Sequence, residues 1–218
     1  IYGSPDGADA DPNFADSTRF GDYIDGGAGD DTIQAQGGAD EIHGGAGNDW
    51  IDAGSGNDLV TGGLGTDTIY GHLGNDTIYG FEAPGSGLTD DNAADRLYGE
   101  WGDDLIVGGG GNDFIDGGYG NDTINANGGN DIVYGGYGAN IIDGGAGDDL
   151  LYGSDDGADQ IDGNTGDDRI WGYAGNDVLH GGAGNDIIDG GAGDDLITGD
   201  AGADVLVGGA GNDVLYGH

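Results

Sequence analysis

The chain has no cysteine, no lysine and no methionine, and only three prolines and three arginines in 218 residues. Each scarcity removes a class of protein. Without cysteine there is no disulfide framework and no thiolate metal site. Few prolines and no G-x-y register exclude a collagen helix. No run of 18 apolar residues marks a membrane span. Three basic side chains cannot line a nucleic-acid backbone, and an anionic membrane surface is a poor direct partner for so acidic a chain. No leader segment is expected within this stretch. Ile1 is not an initiator residue, so the chain is expected to be a piece of a larger protein with flanking domains.

What is abundant is glycine, 56 residues, and acid, 43 residues, for a formal charge of −40. Polar glycine-rich chains are commonly disordered. A compact state with this charge repels itself, so either the chain stays expanded or cations neutralise it. Only a periodic pattern would argue for the second outcome.

Such a pattern is present. The chain divides into nonapeptides of form G-G-x-G-x-D-x-U-x, where U is aliphatic. Gly26-Gly27-Ala28-Gly29-Asp30-Asp31-Thr32-Ile33-Gln34 is one copy, and Gly181-Gly182-Ala183-Gly184-Asn185-Asp186-Ile187-Ile188-Asp189 is another. Seven copies run from 17 to 79, seven from 90 to 152 and seven from 154 to 216. The eighth position is Ile, Leu or Val in all 21 copies; the sixth is Asp in 20, with Asn140 the exception. Ile, Val and Thr favour strands, so a triplet such as Thr32-Ile33-Gln34 predicts a short strand. Its middle residue faces a core and its neighbours face solvent. The glycines before it allow a tight turn, and the sixth-position Asp ends that turn with a hard oxygen donor suited to calcium.

These residues resemble the calcium-binding repeats-in-toxin (RTX), or haemolysin-type, nonapeptide family, over about 190 of the 218 residues. The resemblance implies an all-β fold, a right-handed parallel β-roll solenoid with two nonapeptides per coil. Equivalent residues then recur every 18. One edge would carry Asp22, Asp40, Asp58, Asp76, Asp104, Asp122, Asn140, Asp159, Asp177, Asp195 and Asp213. The other would carry Asp31, Asp49, Asp67, Asp95, Asp113, Asp131, Asp149, Asp168, Asp186 and Asp204. As the resemblance implies, each Ca2+ lies between successive coils, shared by two sixth-position side chains and completed by glycine carbonyls. Eleven and ten turns leave spaces for at most about 19 ions. Asn140 brings a neutral amide and is expected to mark weakened sites.

The roll is expected to run continuously through residues 1–218, with insertions at 3–16, 80–89 and 153. Outward ninth positions read Gln34, Asp52, Tyr70, Tyr98, Asp116, Tyr134, Tyr152 and Trp171 on one face. This predicts an aromatic ladder, read first as cross-strand packing and second as a platform for sugar rings or a partner. His43, His72, His180 and His218 are too scattered for a zinc cluster, with His72 expected in a turn. The carboxylates are periodic, whereas an active site needs one exceptional constellation, so no enzyme activity is expected of the repeats. Family members resemble one another in passing unfolded through a type I secretion channel and folding in external calcium, behind a toxin, lipase, protease or polysaccharide-active domain. The expected function is therefore a calcium-binding, calcium-induced folding module of a secreted or extracellular bacterial protein. An adhesion or surface-layer spacer, and an accessory roll that binds glycan or serves a polysaccharide enzyme, are the alternatives.

Overall fold

The structure, a computed structural model, describes residues 21–81 and 90–217. The expected insertion at 3–16, the first residues of the first copy, 82–89 and His218 lie outside the described residues.

Twenty-one strands, β1 (Tyr23–Ala28) through β21 (Val214–Tyr216), alternate between two sheets. The odd-numbered strands form an 11-stranded sheet and the even-numbered ones a 10-stranded sheet, each in chain order and all parallel. The register confirms two nonapeptides per coil: Ile24 pairs with Ile42, Ile42 with Val60, and on the other sheet Ile33 with Ile51. The fold is the β-roll solenoid.

The period explains the core. Every second residue of a strand points the same way, so the eighth-position aliphatics of both sheets meet inside. Ile42, Ile51, Val60, Ile69 and their equivalents through Ile197 have no more than trace exposure, while towards the ends of the described roll Ile24 and Leu206 are partly buried and Leu215 is exposed. One aliphatic residue per nonapeptide makes a thin core, in which each coil depends on its neighbours.

Most strands are longer than the expected triplets. Six-residue strands such as β6 (Thr68–Leu73) and β8 (Arg96–Trp101) continue into the first three positions of the next nonapeptide. Pairing skips the first-position glycine and resumes at the second: Asp25 pairs with His43, then Gly27 with Gly45. His72 therefore lies inside β6 rather than in a turn. The second position requires a left-handed backbone. Gly45 takes it at φ 110°, and His72 and Glu100 hold it at 71° and 73° without glycine's freedom.

Both sheets cross the long insertion. β6 pairs with β8 in the register Thr68 to Arg96, a step of 28 residues. Glycine roles show where the extra residues sit. A Cβ on Gly80 would stand 2.5 Å from Asp95 Oδ2, and one on Gly153 2.5 Å from Asp159 Oδ2. That is the relation Gly44 has to Asp49. Gly80 and Gly153 thus act as first-position glycines, and the extra residue of the third block lies inside the turn that follows Gly153.

The ninth-position rings stack as a ladder. Tyr70–Tyr98, Tyr134–Tyr152 and Tyr152–Trp171 have centroids 4.7, 4.7 and 4.8 Å apart and planes within 9° of parallel. A second ladder was not foreseen: third-position Trp101, Tyr119 and Tyr137 stack at 4.2 and 4.6 Å on a turn edge. In both ladders the ring faces are spent on one another, as cross-strand packing requires.

Candidate metal centre

The 21 sixth-position residues form two stacks, one along each edge of the roll. Each described backbone N–H in a stack donates to the side-chain Oδ1 of the residue one coil later. Asp168 donates to Asp186 at 2.8 Å and Asp186 to Asp204 at 3.0 Å; on the other edge Asp177 donates to Asp195 at 2.9 Å and Asp195 to Asp213 at 3.1 Å. The stacks persist over the insertions. Asp67 donates to Asp95 and Asp76 to Asp104, at 2.8 and 2.7 Å, and Asn140 to Asp159 at 2.7 Å. The neighbour relation is thus 18 residues, lengthened only by inserted residues, and Asp186 and Asp195 belong to different edges.

The second carboxylate oxygen is the chemically informative one. Asp31 apart, 14 of these aspartates, from Asp40 to Asp195, hold a buried Oδ2 with no hydrogen-bond partner. Buried acceptors are normally satisfied, and an isolated buried carboxylate is costly. A periodic row of such oxygens is an arrangement that a bound cation would satisfy. Below most of these Oδ2 atoms lies a first-position glycine, while Ala35, Ala53 and Ala126 hold the first position of the copies that carry Asp40, Asp58 and Asp131. A Cβ on Gly44 would stand 2.5 Å from both Asp49 Oδ2 and the Gly62 carbonyl oxygen of the next coil. At Gly44 a side chain would crowd the space where carboxylate and carbonyl oxygens converge, and the copies that depart from glycine here carry only the methyl of Ala35, Ala53 or Ala126.

Burial, reinforced by neighbouring carboxylates, raises these acids. Asp67 and Asp168 are pushed up to about 7 and Asp95 and Asp149 to about 8, burial being the largest cause in each. The N–H donated to Oδ1 offsets only part of this. An acceptor-only oxygen set of carboxylates and backbone carbonyls, repeated along a flexible glycine turn, fits calcium's preference for six to eight oxygen ligands. It offers no nitrogen or sulfur for a softer metal.

Sequence reasoning overlooked the fifth position. There the bond runs in the opposite direction along the roll: the N–H of Asn48 donates to Asp30 Oδ1 at 2.9 Å, and that of Asn185 to Asp167 Oδ1 at 2.7 Å. Only one oxygen is used, so an amide serves as well as an acid. This explains why Asn and Asp interchange at the fifth position, which is one or the other in 14 of 21 copies, while the sixth is almost always Asp. The alternation was visible in the sequence as a bias, but the bond that causes it was not.

Histidines engage local partners on separate coils. His72 lies between Asp52 Oδ1 at 3.1 Å and Glu100 Oε2 at 2.7 Å, His43 bonds Thr61 Oγ1 at 2.9 Å, and His180 is 3.9 Å from Asp200. Among the described residues no three His, Cys, Asp or Glu side chains converge on one metal position, so a cation on either edge would draw on backbone carbonyls beside the stacked carboxylates.

The RTX calcium-binding nonapeptide repeat model, four copies long, matches residues 16–51, 43–78, 88–115, 116–151, 153–188 and 180–215. These matches cover most of the chain, which belongs to that family and is a calcium-binding type of β-roll scaffold. No curated protein matches it.

Proposed function

We propose that this chain is a calcium-induced folding and stabilising module of a secreted bacterial protein, exported unfolded by a type I route and folded outside the cell. The carrying observation is the row of buried, partnerless Oδ2 atoms on both edges. Bound calcium supplies the positive charge and the lone-pair acceptor that these oxygens lack. The chain's own part is to present the oxygens only when coiled: Oδ1 is held by the neighbouring coil's N–H, which aims Oδ2 inward over a glycine. Folding and ligand assembly are then one event. Without cations, a charge of −40 keeps the chain expanded and fit for passage through a narrow channel.

Calcium titration followed by tryptophan fluorescence tests this reading. Half-saturation is expected near 10⁻⁴–10⁻³ M, roughly the range of extracellular modules. A midpoint below about 10⁻⁶ M, in the range of intracellular buffers and sensors, would contradict export in the unfolded state. The spacer reading uses the same roll and leaves this expectation unchanged. The ring ladders give only limited support to a sugar platform, because stacked rings cover one another's inner faces.

The two edges give a sharper expectation. In Asp186→Asn the side chain keeps the oxygen that accepts from Asp168, but an NH2 donor replaces Oδ2. Calcium should weaken at the two levels that Asp186 shares with Asp168 and Asp204. Sites beside Asp195 should keep their direct ligands. Asn185→Asp, one residue away, should change no site despite adding a charge. Anomalous diffraction from calcium reads each level separately. Loss beside Asp195 with retention beside Asp204 would refute the two-edge assignment.

A further inference from the structure

We propose that the calcium array is interrupted between Asn140 and Asp159, where side-chain donors take the place the cation holds elsewhere. The inference rests on the reading of the Asp stacks as calcium sites. At this level three departures from the repeat coincide. First, Asn140 keeps the stack bond, its Oδ1 accepting from Asp122 N–H at 2.9 Å, but its Nδ2 occupies the slot over Gly135 that Oδ2 fills in other copies. Second, the turn after Gly153 has five residues before Asp159, where the turn after Gly44 has four before Asp49. The longer turn carries Ser154 inward, and its side chain is buried. Third, Ser154 Oγ lies 2.9 Å from Asp159 Oδ2 and 2.8 Å from the Gly138 carbonyl oxygen of the preceding coil.

These contacts reverse the chemistry of the site. Elsewhere the cleft between coils is lined by acceptors alone. Here a hydroxyl proton is available to the carboxylate or the carbonyl, and Asn140 Nδ2 also reaches Gly138 O at 3.4 Å. Asp159 Oδ2 accordingly has a partner, unlike its counterparts on Asp122 and Asp177. The serine is itself held in place, accepting from Gly157 N–H at 3.0 Å. The level also carries one carboxylate instead of two, so the pairwise repulsion that elsewhere calls for a cation is absent. Donors pointing at the acceptors, with no paired charge, make an ion both unnecessary and unwelcome. The edge from Asp22 to Asp213 is thereby divided into two calcium runs joined by a metal-free stitch.

Anomalous diffraction from crystals grown in millimolar calcium decides the matter on the unaltered chain. A calcium peak is expected between Asp177 and Asp195 and none between Asn140 and Asp159. In Asn140→Asp/Ser154→Gly a peak should appear at that level, and native mass spectrometry should count at least one more ion than before. A peak at the Asn140–Asp159 level of the unaltered chain would overturn the inference while leaving the calcium reading intact. A double variant that folds without gaining an ion would overturn it too. No calcium at any level would refute the calcium reading itself.

Discussion

Stripping calcium at neutral pH is expected to remove most of the β-sheet circular dichroism signal, and restoring it to millimolar levels to bring the signal back. The size of the effect follows from the stacks. Twelve aspartates between Asp49 and Asp177 are held at about 6 to 8 by burial and neighbouring charge. Each unit of such a shift corresponds to about 1.4 kcal/mol, and a whole domain is stable by only about 5–15 kcal/mol. Even heavily discounted for relaxation, a dozen groups displaced by two units or more outweigh what a core of one aliphatic residue per nonapeptide can supply. Magnesium at the same concentration should recover little of the signal, because it demands a small octahedral shell and dehydrates reluctantly. A full β signal in chelator at pH 7.5 would show that the coils hold together without their cations, and the folding reading would fail.

The sequence made the repeating part of this structure legible because a single residue type at each position has a single physical job. Ile42, Ile51 and Val60 are inside because position eight points inward in every coil. The step from Asp168 to Asp186 to Asp204 follows once two nonapeptides make a coil. What escaped was whatever depends on a contact rather than a pattern. The fifth-position ladder looked like ordinary turn composition until the N–H of Asn48 was seen on Asp30. Trp101, Tyr119 and Tyr137 sit at a position that holds small or polar residues in most copies, so three rings in successive coils carried no periodic signal. The strands run past the expected triplets because neighbouring coils impose the pairing of Gly27 with Gly45 despite glycine's low strand propensity. At residue 153 the sequence could not say which residue of the turn was extra. Gly153 resembles any first-position glycine, and only the oxygen of Asp159 above it settles its role.

Acid should substitute in part for calcium. In metal-stripped buffer the chain is expected to gain β signal as pH falls from 8 toward 5, the reverse of ordinary acid denaturation. In the coiled, cation-free state the stacked carboxyls lie above the ordinary value of 3.8, about 6 for Asp104 and Asp131, about 7 for Asp113 and Asp177, and about 8 for Asp149. Burial is the main cause, followed by neighbouring carboxylates where they are close. A raised value means that the coiled state binds protons more tightly than the expanded chain. Its stability therefore falls as pH rises from about 4 to 8 and recovers as pH falls back through 8 and 6. A protonated Oδ2 is also a donor, able to reach the carbonyl oxygens that otherwise face the cation. The same protons compete with metal, so the calcium midpoint measured with calcium present should move to higher concentration between pH 7.5 and pH 6. Circular dichroism on dilute samples, kept above the isoelectric point near 4.1, distinguishes this coupling from simple relief of net charge. Raising salt at pH 8 screens exposed charges but leaves buried carboxylates ionised, and should recover far less signal than acidification. If salt at pH 8 restored as much β structure as acid does, diffuse repulsion rather than the stacked aspartates would govern folding.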